Sequence, residues 1–366
     1  MSELQETLVG RQLDVVVGPV AHGGHFVARH DGRVIFVRHA LPGEQVTVEI
    51  TEDSGRFLRG DAVEIASPSP HRVGAPCPLA HPGGCGGCDF QHVTLEEQRR
   101  LKGSVVSEQL SRLAGIEREV VVVPVAGDQE GLHWRTRMQY VHLPGGDLGL
   151  RKHRSHEVVV VDRCLIAHPD AREPDRSGPV VEQVDTAVGS RAFTVAGDGF
   201  WQVHPGAPRV LVETVLRLLE PRPGERALDL YAGVGLFTAF LAEAVGPTGT
   251  VTAIESDRRA AELAQHNLGD HPQVSVVRDR VDRAVRRQEP VDLVVLDPPR
   301  VGAKRQVVRG IVELAPRAVA YVACDPASLA RDLAYFAEAG YGLADLHAFD
   351  LFPMTHHVEC VALLTR

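Results

Sequence analysis

Between Val291 and Pro326 two short apolar runs each stop at a chemically distinctive residue, and no other feature constrains the fold so tightly. Val291-Asp-Leu-Val-Val-Leu296 leads into Asp297-Pro-Pro-Arg300, and Val319-Ala-Tyr-Val-Ala323 leads into Cys324-Asp-Pro326. Continuous apolar runs of this length mark strands buried on both faces of a parallel sheet. The ends of such strands meet at the carboxyl edge, where open α/β sheets bind ligands. The pattern predicts a doubly wound α/β sheet with a carboxylate and a thiol facing one pocket.

A third run ends in a glycine loop, Asp229-Leu-Tyr231-Ala-Gly233-Val-Gly235, followed by a helix-like segment from Phe237 to Val245. Gly233 and Gly235 allow a sharp turn and close backbone approach to a ligand, and Asp229 can accept from an amine or hydroxyl. The next run, Val251 to Ile254, ends at Glu255, an acid suited to the paired ribose hydroxyls of an adenosine. NAD and S-adenosylmethionine both satisfy this logic. The dinucleotide fingerprint asks for glycine or alanine where this chain has Thr238, so S-adenosylmethionine is the expected cofactor. Tyr231 and Asp279, the latter after the run Val274 to Val277, complete the expected pocket.

Of six cysteines, Cys77, Cys85 and Cys88 lie in a glycine- and proline-rich stretch suited to wrapping a metal centre, and Cys164 follows the apolar run Val158 to Val161. By spacing, a four-thiolate zinc site and a [4Fe-4S] cluster stand even, and a disulfide is disfavoured without a signal peptide. Cys360, in an apolar run, reads as a core residue.

Taken in order, Phe200-Trp-Gln202-Val-His-Pro205, the loop Asp229 to Gly235, Asp297-Pro-Pro-Arg300, Tyr321-Val-Ala-Cys324-Asp-Pro326 and His357-Val-Glu359 resemble the motifs of the S-adenosylmethionine-dependent RNA 5-methyluridine methyltransferases. The resemblance implies that Cys324 is a nucleophile and Glu359 a proton acceptor. It places Asp297 and Gln202 at the pyrimidine and the methyl donor, and assigns Cys77, Cys85, Cys88 and Cys164 to a [4Fe-4S] cluster. The first cysteine gap is longer here than in many relatives. Bottom-up chemistry agrees: C5 of uracil is a weak nucleophile, and thiolate addition at C6 makes it enolate-like. The implied partner is RNA, ribosomal rather than transfer RNA by resemblance. Two rivals are a noncatalytic RNA-binding protein on a methyltransferase fold and an iron-sulfur redox protein of NAD type.

The 366 residues, 44% of them hydrophobic, allow two to three domains with proper cores. Alternating runs separated by glycine turns, with the resemblance, give an OB-like β-barrel TRAM domain over residues 1–66. A mixed α+β central iron-sulfur and RNA-binding unit is expected over 67–93 and 117–205, and a Rossmann-like methyltransferase domain over 94–116 and 206–366. Residues 94–116 are helix-periodic and open with a capping box, Thr94-Leu-Glu-Glu97. The net charge of -9 disfavours nucleic acid as a bulk property. The stretch His133 to Arg154 is locally basic, however, with Trp134 and Tyr140 interleaved, a mixture able to grip phosphates and stack bases. No apolar run spans a bilayer and residues 1–10 lack a leader pattern, so a cytoplasmic location, no membrane and no obligate protein partner are expected.

Overall fold

Period-two burial organises the N-terminal unit. In β1 (Gln12–Val16) exposed and buried residues alternate along the strand. With β2 (Phe26–His30), β3 (Arg33–Arg38), β4 (Gln45–Asp53) and β5 (Phe57–Ser67) it forms a five-stranded sheet ordered β1-β4-β5-β3-β2. The inward residues, among them Phe26, Ile35, Val48 and Leu58, share one core with Phe90, Val93 and Leu101, which fastens the barrel to the segment that follows. The computed structural model describes residues 7–174 and 178–366; residues 1–6 of the expected first domain lie outside the described part.

Helix α1 (Leu95–Gln109) begins at Thr94, but the expected capping box is not formed: the Thr94 side chain makes no cap hydrogen bond. Glu97, which would have reached back to the cap, is buried and accepts from Arg100 Nε at 2.6 Å. The helix runs on into one π-turn over Leu110–Ala114. Val106 and Leu110 on its apolar stripe lie in the same core as the large C-terminal sheet. β6 (Val122–Pro124) then joins the edge of that sheet.

The middle of the chain is built from short strands. β7 (Arg135–Arg137) pairs with β11 (Ala167–Arg172), and β8 (Val141–His142), β9 (Leu148–Arg151) and β10 (Val158–Val161) form a second small sheet. β12 (Val180–Thr186) and β13 (Gly189–Val195) make a hairpin whose Val184 and Phe193 pack into the C-terminal core.

The remainder alternates helix and strand: α2 (Ala207–Leu219), β14 (Arg226–Leu230), α3 (Leu236–Val245), β15 (Thr250–Glu255), α4 (Arg258–Asn267), β16 (Val274–Arg278), α5 (Val281–Ala284), β17 (Leu293–Leu296), α6 (Lys304–Glu313), β18 (Ala318–Ala323), α7 (Pro326–Glu338), β19 (Gly342–Asp350) and β20 (Glu359–Thr365). The sheet order is β16-β15-β14-β17-β18-β20-β19-β6, and only β20 runs antiparallel to its neighbours. Every residue of β17 and β18 is buried, as continuous apolar runs require when helices cover both faces. The strand order reverses between β14 and β17, a crevice at the carboxyl edge. Among the described residues no helix is long and apolar enough to cross a membrane.

Candidate active site

Five parallel strands, β14 to β18, end at that edge, and antiparallel β20 begins there. β14 carries Asp229 and opens into the glycine loop, where Gly235, at φ 96°, caps α3 in the left-handed region that a side chain rarely adopts. A Cβ there would also lie 2.8 Å from Leu268 Cδ1. Asp229 is fully buried; its Oδ2 accepts from Thr238 Oγ1 at 2.6 Å, while Oδ1 has no partner among the described residues. Burial lifts its pKa to about 7 against the lowering effect of the Thr238 bond. Thr238, the residue that breaks the dinucleotide fingerprint, is thus part of the site.

Glu255, ending β15, accepts from Gly233 N at 2.9 Å and Asp257 N at 2.6 Å, so its carboxylate is fixed against the loop. Tyr231, in the same loop, is partly buried with φ 63°. Asp279, beyond β16, accepts from Arg280 N at 2.7 Å and pairs with Arg287, and its own N–H donates to Glu255 O at 3.1 Å. The two acids therefore stand on adjacent strand ends.

Around the thiol the geometry is tighter. Cys324 follows the last residue of β18, and Glu359 begins β20, whose next residue, Cys360, pairs with Ala323. An antiparallel neighbour thereby brings a C-terminal acid to the same edge as the thiol. Asp297 follows the last residue of β17 beside them and is approached at 3.5 Å by Gln202 Nε2. Burial pushes Asp297 to about 7. Burial, then repulsion from Asp297, raises Glu359 well above the ordinary range, with Arg300 opposing. Burial and the Glu359 and Asp297 carboxylates lift the Cys324 thiol to about 12. Three acidic groups in a shared, poorly solvated space thus bind protons more tightly than in water, which moves their titration toward the range an acid-base site uses.

The Asp297-Pro-Pro-Arg300 loop is fastened by Asp332 of α7, whose Oδ2 accepts from Ala303 N at 2.7 Å and from the Tyr321 hydroxyl at 2.8 Å. Arg300 Nη2 lies 3.3 Å from His357 Nε2. Cys324 also lines a cavity of about 130 Å³ whose opposite wall is the barrel loop Val20 to Gly24. A Cβ at Gly24 would fall 2.6 Å from His356 Cβ, so the loop packs directly against the segment that leads into β20. Sequence reasoning missed Thr238 and Asp332 as site elements, and it placed His22 in a loop able to touch RNA without pairing it to Asp325. Only Thr238 left a signal, as the departure from the glycine fingerprint.

Cys77, Cys85, Cys88 and Cys164 line one cavity of about 230 Å³. Its walls carry no carboxylate or imidazole; Leu150, Val161 and Ile166 supply apolar surface and Arg135, Arg151 and Arg163 positive charge. Burial raises the thiols of Cys85, Cys88 and Cys164. Among the described residues no group of three or more His, Cys, Asp or Glu side chains is arranged to hold a metal ion. Trp134 is not the base-stacking platform expected of it: it is 1% exposed and stacks on His204 at 6.2 Å. Phe200, by contrast, is 66% exposed near the site strand.

Comparison with known proteins bears on both ends of the chain. A TRAM domain model matches residues 6–63, and a model described as tRNA (Uracil-5-)-methyltransferase matches residues 180–366. An uncharacterized RNA methyltransferase of Streptomyces avermitilis is 45% identical over 97% of this chain and 98% of its own length. The 23S rRNA (uracil(1939)-C(5))-methyltransferase RlmD of Alkalilimnicola ehrlichii is 32% identical over 100% and 99%. Among solved structures, the tRNA (uracil-54, C5)-methyltransferase of Pyrococcus abyssi in complex with S-adenosyl-L-homocysteine superposes with a TM-score of 0.72 over 96% of this chain and 100% of its own, at 20% identity. That likeness establishes the shared fold.

Proposed function

The chain belongs to the tRNA (uracil-5-)-methyltransferase family with an N-terminal TRAM domain, making it an S-adenosylmethionine-dependent RNA uracil-C5 methyltransferase, and from that footing we propose that it methylates a uridine of ribosomal RNA through a covalent bond between Cys324 and C6. The observation that carries the mechanism is the convergence of Cys324, Asp297 and Glu359 on one sheet edge, where burial raises all three pKa values and Asp297 adds to the rise of the other two. The ribosomal substrate is supported by the full-length match to the 23S rRNA enzyme. Transfer RNA is the second reading. A cytoplasmic location goes with either.

Bound S-adenosylmethionine supplies an electrophilic methyl group. Its site is assigned to Gln202, Tyr231, Gly233, Glu255, Asp279 and Asp297; the unpartnered buried oxygen of Asp229 is an acceptor ready for a ligand donor. The target uridine is flipped out of its stack at a cost of a few kcal/mol. Cys324 loses its proton to solvent through the cavity it lines, and its sulfur adds to C6 while the C5=C6 electrons delocalise toward O4. Asp297 accepts the N3–H bond. The enolate electron pair at C5 forms the new carbon–carbon bond as the sulfonium–methyl bond breaks and S-adenosylhomocysteine leaves; ionised Glu359 then removes the C5 proton, the C5=C6 bond re-forms, and the thiolate leaves and is reprotonated from solvent.

A [4Fe-4S] cluster on Cys77, Cys85, Cys88 and Cys164 belongs to the same reading. Four thiols on one cavity without carboxylate or imidazole suit iron-sulfur chemistry, and the resemblance of the cysteine pattern favours a cluster over zinc. When bound it would tie separate segments together, adding to backbone contacts already present there: Cys85 forms a β-bridge with Lys152, and Gly86 N donates to Arg151 O at 3.2 Å.

The test is methyl transfer from labelled S-adenosylmethionine to transcribed 23S ribosomal RNA and, in parallel, to transfer RNA, followed by nucleoside mass spectrometry. 5-Methyluridine in the ribosomal transcript is expected. Label only in transfer RNA would move the assignment to that substrate, and label in neither would overturn it.

A further inference from the structure

A cleft of about 510 Å³ between the N-terminal barrel and the central unit holds buried nitrogen groups with nothing to bond. The barrel contributes His25, Arg38 and Arg59; the turn between β9 and β10 contributes Lys152, His153 and Arg154. Arg38 is only 8% exposed, and its Nη2 has no hydrogen-bond partner among the described residues. The nearest carboxylate oxygen, Asp89 Oδ1, stands 3.9 Å away, beyond hydrogen-bond reach. His25 Nε2, His153 Nε2 and Arg59 Nε are likewise buried and unpartnered among the described residues, and the two imidazole rings meet edge to face at 5.8 Å.

Buried donors, a guanidinium above all, are normally satisfied, so a cluster left open marks the place of an absent partner. The Arg38 and Arg59 nitrogens can only donate, so the partner must be an acceptor and an anion fits best; burial keeps the two imidazoles neutral, and each donates from Nε2 in the tautomer that carries the proton there. Acids do reach the cleft. Glu52 accepts from Arg59 at 3.0 Å and Glu157 from Lys152 at 2.6 Å, but these carboxylates are 47% and 70% exposed and leave the inner nitrogens free. Asp61 sits 3.9 Å from His39. Phe36, beneath the Arg59 guanidinium at 5.8 Å, adds an aromatic face beside the charged group, the pairing that single-stranded nucleic acid uses.

We infer that this cleft receives a backbone phosphodiester of the RNA substrate, with Arg38 as the central donor and His25 and His153 on either side. The inference rests on the reading of the chain as an RNA methyltransferase. It gives the strand a grip shared by barrel and central unit, on a surface that has no lining residue in common with the Cys324 cavity.

The experiment measures binding of a fluorescein-labelled, uridine-rich single-stranded RNA to the full chain by anisotropy, over a series of potassium chloride concentrations. Arg38→Gln should weaken binding about ten-fold and reduce the slope of log K against log salt by about 1. Arg38→Lys should retain most of that slope, and S-adenosylmethionine affinity should be unchanged in both. An unchanged slope in Arg38→Gln overturns the inference. Should Arg38→Gln fail to fold, His153→Glu on the opposite wall decides: it offers Arg38 a competing carboxylate, so RNA binding must fall, and wild-type binding would overturn the proposal. Failure of the underlying reading looks different, since wild-type protein would then transfer no methyl group to any RNA.

Discussion

His22 Nε2 of the N-terminal barrel lies 2.9 Å from Oδ2 of Asp325, the residue after Cys324. Asp325 also caps α7, its Oδ1 accepting from Ser328 N at 2.7 Å, so one carboxylate joins the barrel loop to the start of the helix behind the thiol. The bond to Asp325 raises the His22 pKa, and His22 and Ser328 hold Asp325 at about 2 despite burial. The histidine contribution is full below its unfolded value near 6.5 and is lost as pH climbs through the raised folded value. The aspartate contribution is present above about 3.9 and is lost as pH falls toward 2. Hydrogen-exchange protection factors in residues 20–25 should therefore be higher at pH 6 than at pH 8, and Asp325→Asn, which keeps an N-cap, should erase the difference. Equal protection at both pH values in the wild type would show that the bond does not hold the loop.

Glu359→Gln should separate methyl transfer from adduct resolution. With no base for the C5 proton, turnover falls by about 10² to 10⁴, and a methylated RNA-protein adduct should accumulate on denaturing gels. Cys324→Ala should give neither product nor adduct. Rapid methylation by Glu359→Gln without adduct would remove the base assignment, and product from Cys324→Ala would remove the nucleophile.

The two carboxylates that lift the Cys324 thiol make a second expectation. Asp297→Asn removes one like charge, so the pH of half-maximal alkylation of Cys324, followed by peptide mass spectrometry, should drop by roughly one unit. Methyl transfer should nevertheless fall, because the neutral amide introduced by that substitution is a weaker acceptor for N3–H than a carboxylate. An alkylation profile that does not move would mean that burial alone sets the thiol.

Iron content tests the cysteine cavity. Anaerobically purified protein should carry iron and acid-labile sulfide in equal amounts, and Cys88→Ser should lose most of both. Because Cys85 bridges to Lys152, hydrogen exchange across residues 150–155 should rise with that loss. Zinc in place of iron, or unaltered exchange after metal loss, would count against the cluster or its tethering role respectively.

Much of this arrangement was legible because it follows from local rules. Unbroken apolar runs before Asp297 and Cys324 become fully buried neighbouring strands, so their ends must share an edge. The glycine loop likewise sits where a positive φ is needed. What escaped depends on contacts between distant segments. Nothing near Trp134 announces that His204 and Phe352 will cover it. Nothing near His22 points to a partner 303 positions away. β6 joins the large sheet through three residues, too few to show a period. Glu97 abandoned its cap for Arg100, a choice between two local partners that pattern does not rank.

The junction between α1 and the catalytic sheet supplies the last prediction. Lys102 is 0% exposed on its side chain and donates to Asp350 Oδ1 at 2.6 Å and Phe352 O at 3.0 Å, while Asp350, at the end of β19, is 2% exposed. Burial lowers the Lys102 pKa and Asp350 opposes that effect, so the charge persists only because its partner is in place. Lys102→Met should leave an unpaired buried carboxylate and cost about 3–5 kcal/mol. Adding Asp350→Leu should restore most of that loss, since two apolar groups replace two charges that both pay for desolvation. Denaturant midpoints of the wild type, both single variants and the double variant give the coupling directly. Additive losses would mean that the pair does not fasten the helix. Because Lys102 also lines the cavity beside Cys324, RNA methylation by the refolded double variant reports separately on whether the ammonium meets substrate.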